Sequence, residues 1–169
     1  MKRVLLSLAF ALFASMPLTF AQNAKLGHIN TSQLVLLLPE MKAADSSLQK
    51  FSASLEAQLK VMFTEYQAKV SDFKASEATM AEPVRQTKAK EVEDLEQRIR
   101  QFQDDAETSV QKKEQELLAP ISKKVEEAIK SVAKEKGYAY IFDMSRGSVI
   151  YAQDSDDIMP LVKTKLGLK

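Results

Sequence analysis

The side chains best suited to chemistry are few in this 169-residue sequence, and their spacing assembles no reaction centre. There is no Cys, which excludes a thiol nucleophile, a disulfide framework and a cysteine metal site. A single histidine, His28, excludes every multi-histidine metal site and most catalytic triads, since each needs an imidazole in a defined place. His28 reads as an ordinary strand residue, with a pH switch as the alternative. The carboxylate pairs Asp104-Asp105 and Asp156-Asp157 fit neither an EF-hand loop nor another spaced ligand set, so no metal and no cofactor are expected. Binding chemistry remains. The aromatics Phe51, Phe63, Tyr66, Phe73 and Phe102 could hold apolar segments of a partner, and Met80 adds a flexible thioether suited to varied surfaces. Arg85, Lys88 and Lys90 form a small basic cluster, followed at once by Glu91, Glu93, Asp94 and Glu96, as on a solvated helix face. The sequence is that of a binding protein, not an enzyme.

The elements that position these residues begin after a segment of another kind. Lys2 and Arg3, an apolar stretch from Val4 to Phe13, and Thr19-Phe20-Ala21 have the order of a secretion signal, cut after Ala21. The apolar stretch is shorter than the roughly 20 residues that cross a bilayer, and Pro17 interrupts it. Removing Lys2 and Arg3 turns a formal charge of +1 into about one negative, which excludes a strongly basic nucleic-acid binder. The expected location is outside the cytoplasm, where ATP is normally unavailable and work must run on binding energy.

With 28% charged residues, 45% apolar residues and only four Gly, the composition fits long charged helices better than a sandwich of strands. Lys25 to Thr31 reads as a short strand, with Thr31 or Ser32 capping a brief helix that Pro39 ends; a second helix starts near Glu40. From Leu48 the apolar positions run Leu48, Phe51, Leu55, Leu59, Met62, Tyr66, Val70 and Phe73, a repeat of eleven residues. Eleven residues over three turns keeps a stripe nearly parallel to a straight helix. After a tip near residues 80–84, Leu95, Ala106, Leu117 and Ala128 form one track of the same period, and Ile99, Val110, Ile121 and Val132 another. The shared period predicts that the two helices pair, the first roughly 60 Å long and the second roughly 80 Å. Phe51, Tyr66, Phe73 and Phe102 lie on the stripes, which favours hairpin packing over partner contact; Phe63 is one residue off. Pro120 interrupts the second helix and stands level with Ala44 on the first, where an arm would join a body.

Beyond Gly137, Tyr138 to Asp143 and Ser148 to Ala152 read as a β-hairpin, and Ser155 or Asp156 as the cap of a last helix that Gly167 stops. The division is residues 22–39 and 137–169 for the body and 40–136 for the arm. The fold class is α+β and predominantly helical, a long antiparallel hairpin on a small β-rich body. Leu26, Ile29, Tyr138, Tyr140, Ile141, Phe142, Val149, Ile150 and Tyr151 are the candidate assembly residues. So small a core with open sheet edges and no Cys favours a homo-oligomer whose strands complete one another's sheet.

The segment LLAPISKKVEEAIKSVAKEKGYAYIFD (117–143) resembles the C-terminal signature of the Skp/OmpH family of periplasmic chaperones, and KLGHINTSQLVLLLPEM (25–41) resembles that family's opening strand and helix. With the closing SDDIMPLVKTKLG, the resemblance spans essentially the whole chain after Ala21. It implies a homotrimer whose helical arms enclose a cavity, holding unfolded outer-membrane proteins without ATP. The better-known members are strongly basic, whereas residues 40–136 carry 17 basic and 19 acidic side chains, so contact with membrane or lipopolysaccharide is not expected here. The alternative is a coiled-coil envelope adaptor that grips one folded partner through Met80, Arg85 and Lys88 at the tip.

Overall fold

The computed structural model describes residues 24–168, and in it the apolar run Leu34–Leu38 is closed by Pro39. Asn30 caps helix α1 (Thr31–Leu36) by accepting the Gln33 N–H. Leu38 is then extended, as the residue before a proline prefers, and Pro39 occupies the first turn of helix α2 (Pro39–Ser76), where its missing N–H costs nothing. A short 3-10 turn at Glu77–Thr79 reverses the chain, and helix α3 (Glu82–Lys136) returns. With 38 and 55 residues, α2 and α3 are about 57 and 83 Å long. Pro120 lies inside α3 without ending it. The secretion segment and its cut after Ala21 lie outside the described residues.

The hairpin's two ends meet at its base. Gly137 stops α3 in the left-handed conformation, with φ of 70°. Lys25 closes this end from the other side of the chain: its Nζ donates to the Lys136 carbonyl at 3.1 Å and stands 4.1 Å from the Tyr138 ring centre. Strand β1 (Leu26–Ile29) pairs in parallel with β2 (Tyr140–Asp143), Leu26 opposite Tyr140 and Ile29 opposite Asp143. Gly27 lets the strand approach closely, since a Cβ there would stand 3.0 Å from side-chain atoms of both Tyr138 and Ile158. Helix α4 (Met159–Lys165) closes the body.

The body core joins Ile29, Leu34 and Leu38 to Ile158 and Val162, all at most 1% exposed, and to the base-side turns of α3 through Ile121, Val125 and Val132. Full burial of such a side chain contributes about 1.5–3 kcal/mol. The eleven-residue tracks thus serve two purposes: their tip half packs the arm, and their base half supplies one wall of the body.

The predominantly helical α+β hairpin architecture is as the periodicity predicts, and three local expectations are overturned. Ser148 to Ala152 is no strand, so there is no β-hairpin; β2 pairs with β1 instead. The cause is local: Asp143 caps a 3-10 turn at Met144–Arg146, and Gly147, with φ of 67°, turns the chain off the sheet. The first helix is capped by Asn30 and not by Thr31 or Ser32, because the Thr31 hydroxyl donates to Asp143 at 2.7 Å. The last helix begins at Met159, not after Ser155 or Asp156. The Ile158 N–H is held by the His28 carbonyl at 2.9 Å, so the chain lies along the β1 edge until that point and only then coils, with the Asp157 carboxylate accepting the Met159 N–H.

Candidate functional site

Two surfaces are candidates for binding, one along the arm and one on the body. On α2 every residue of the predicted stripe, from Leu48 through Phe51, Tyr66 and Val70 to Phe73, is half-buried, and Phe102 on α3 is half-buried as well. These aromatics lie on the stripes along which the helices pair and remain partly exposed. Phe63, one position off the stripe, is 40% exposed, and Met80 at the tip is half-buried. Val61 at 68% and Val84 at 48% are apolar side chains that the periodicity passed over; each is a β-branched residue off the tracks, which is the signal that marks it.

Ion pairs tie the helices at both ends of the arm. Lys69 on α2 meets Glu91 on α3 at 2.9 Å, and Asp72 meets Lys88 at 2.5 Å, three residues along one helix matching three back along the other. The bond to Glu91 raises the Lys69 pKa, and the bond from Lys88 lowers that of Asp72. Arg85 forks onto Glu82 through Nε at 3.0 Å and Nη2 at 2.6 Å, and Lys90 meets Asp94 at 3.1 Å. All three cations of the tip cluster are therefore engaged within the chain. At the base Lys124 bonds Glu40 and lowers its pKa.

Between these ends the arm opens into grooves. One of about 440 Å³ lies beside Pro120, floored by Ala44, Leu117 and Ile121 and crossed by the Glu40–Lys124 pair. The levels of Ala44 and Pro120 thus do coincide, as their equal distance from the tip predicts. A second, of about 260 Å³, lies at mid-arm between Leu55 and Leu59 of α2 and Phe102 and Val110 of α3.

On the body, one face of the two-stranded sheet is uncovered: Leu26, Tyr140 and Phe142 are 47, 63 and 46% exposed. The strap that follows, with Ile150 and Tyr151 almost wholly exposed, passes in front of it, enclosing an open cavity of about 590 Å³ lined also by Val149 and His28. His28 Nε2 lies 3.0 Å from the Gln153 carbonyl and fastens the strap. Of the remaining predicted assembly residues, Ile29 belongs to the chain's own core, against which Tyr138 and Ile141 also pack. Leu36 and Leu37, 66 and 51% exposed, were missed; five consecutive apolar residues, Leu34–Leu38, across the end of so short a helix exceed what one buried face accepts.

The sequence matches the family described as outer membrane protein (OmpH-like) over residues 25–166. No curated protein matches it. Among solved structures, the chain is similar to a candidate outer membrane chaperone (OmpH-like) from Caulobacter crescentus CB15, with 19% identity and a TM-score of 0.73 over 85% of this chain and 83% of that one. At that identity the likeness is one of fold.

Proposed function

This chain belongs to the OmpH-like outer membrane protein family, and from that premise we propose that it is an ATP-independent periplasmic holdase for unfolded outer-membrane proteins. The observation that carries the reading is the arm: a helical hairpin about 57 Å long whose apolar seam is half-buried on α2 from Leu48 to Phe73 and at Phe102 and Val110 on α3, and closed around Leu95 and Ile99. Half-buried side chains such as Phe51, Tyr66, Phe73 and Phe102 offer many weak contacts and no deep pocket, which suits clients without fixed structure. Phe63 and Met80 extend those contacts onto the outer face and the tip.

The proposed assembly is a homotrimer, with residues 22–39 and 137–169 as its body and 40–136 as its arms. Support comes from the uncovered sheet face of Leu26, Tyr140 and Phe142 and from the strap bearing Ile150 and Tyr151, apolar surface that a single chain leaves in water. The tip-directed adaptor has less to work with, because Arg85, Lys88 and Lys90 each already hold a carboxylate.

The test is light scattering after dilution of a urea-unfolded outer-membrane β-barrel protein into buffer without ATP, with and without the chain at known oligomeric mass. Suppression of aggregation near one oligomer per client is expected. Absence of suppression by a stable oligomer overturns the reading.

A further inference from the structure

Along the hairpin the ion pairs between α2 and α3 are unevenly spread. Two cross near the tip, Lys69–Glu91 and Asp72–Lys88, and one crosses at the base, Glu40–Lys124. Among the described residues none crosses between these levels. At mid-arm the helices instead present two carboxylates to the same groove, Glu56 from α2 and Glu107 from α3. Both are exposed, and neither makes an ion pair among the described residues; Lys60, one turn beyond Glu56, is unpaired as well.

The floor beneath these carboxylates is the apolar group Leu55, Leu59, Phe102 and Val110, each half-buried. The cavity, about 260 Å³, is below the roughly 300–1,000 Å³ of a cleft for a drug-sized ligand and suits one or two side chains of an extended chain. A cation placed between these two carboxylates is attracted by both while its apolar neighbour enters the floor. The long stem of Lys or Arg lies well along such a surface.

Resting on the holdase reading, we infer that the mid-arm groove is a docking subsite for unfolded polypeptide segments in which a Lys or Arg flanks a large apolar side chain. It selects among segments of a client; neutral apolar segments still bind the rest of the seam. The preference is opposite in sign to that of a basic arm, and near-zero net charge conceals it, because the carboxylates are local.

The experiment titrates the full oligomer of the chain from residue 22 with fluorescent ten-residue disordered peptides of equal Leu and Phe content, flanked by Arg, by Asp or by neither. Fluorescence anisotropy at low salt is expected to show the Arg peptide binding about threefold to tenfold tighter than the Asp peptide, a preference that fades as salt screens the exposed charges. The E56Q/E107Q variant is expected to lose that preference and keep its affinity for the uncharged peptide. The E93Q/E116Q variant, with the same change in net charge at exposed unpaired positions elsewhere, is expected to retain it. Equal affinity for Arg and Asp peptides, or equal loss in both variants, overturns the subsite and leaves the holdase reading standing. Failure to bind any peptide, together with failure to suppress client aggregation, overturns the holdase reading and the subsite with it.

Discussion

Asp143 shows how much one carboxylate can organise. It accepts the Thr31 N–H at 3.2 Å and hydroxyl at 2.7 Å, and the Ser145 N–H and hydroxyl, both at 2.9 Å, so it joins the end of β2 to the start of α1 and to the following turn. Burial acts to raise its pKa, but the bonds from Thr31 and Ser145 together outweigh burial and hold it below the ordinary value. A carboxyl whose folded-state pKa is depressed adds stability that is complete at neutral pH and is lost as the pH falls from about 4 through the lower folded value. D143A is therefore expected to destabilise the chain by about 1–3 kcal/mol at pH 7, read from urea midpoints, and D143N is expected to lose Asp143's share of the acid-side slope of stability below about pH 4. None of this was legible in the sequence. Asn30, Thr31 and Ser32 are all acceptable caps, and the choice among them is made by a residue 112 positions away.

Among elements, the helices were the most legible because their pattern repeats. An eleven-residue period in α2 and in α3 needs no long-range information to predict a paired stripe, and the observed burial, partial on α2 and partial or complete on α3, follows it. Leu95 and Ile99, 2 and 3% exposed, are the buried centre of the arm and stand apart from the body core. L95A is expected to cost about 2–4 kcal/mol locally. Hydrogen exchange should quicken for arm amides on α2 and α3 at that level, while the amides of Val132 and Ile158 in the body keep their protection. Uniform acceleration throughout the chain would show instead that arm and body unfold as one unit. The strands were less legible. Ser148 to Ala152 has the composition of a strand, but a strand also needs a partner edge, and Gly147 carries the segment away from β2.

For the molecule as a whole, the charge and the apolar surface are distributed unequally. The arm ties its ends with ion pairs worth little individually at exposed sites, and the body leaves one sheet face in water. In the proposed trimer that face meets its copies. Y140K/F142E, placed on side chains 63 and 46% exposed, should leave the protomer's helicity intact and lower the solution mass by light scattering from that of the oligomer to that of one chain. An unchanged mass in a folded variant would move the assembly contact elsewhere, to the exposed Leu36 and Leu37 first.

By itself the sequence determined the helical hairpin, its length, the level at which Pro120 and Ala44 meet, and the absence of cysteine chemistry, because periodicity, proline position and composition are local properties. Only the tertiary structure decided that β2 lies parallel to β1, that Asn30 caps α1, that the tip cations are already paired, and that Glu56 and Glu107 share one groove. Apart from the Arg85–Glu82 and Lys90–Asp94 pairs, which lie within one turn of α3, each of these depends on groups far apart in the chain. A strand's partner, a cap's competitor and a charge's neighbour become defined only when folding brings those groups within bonding distance.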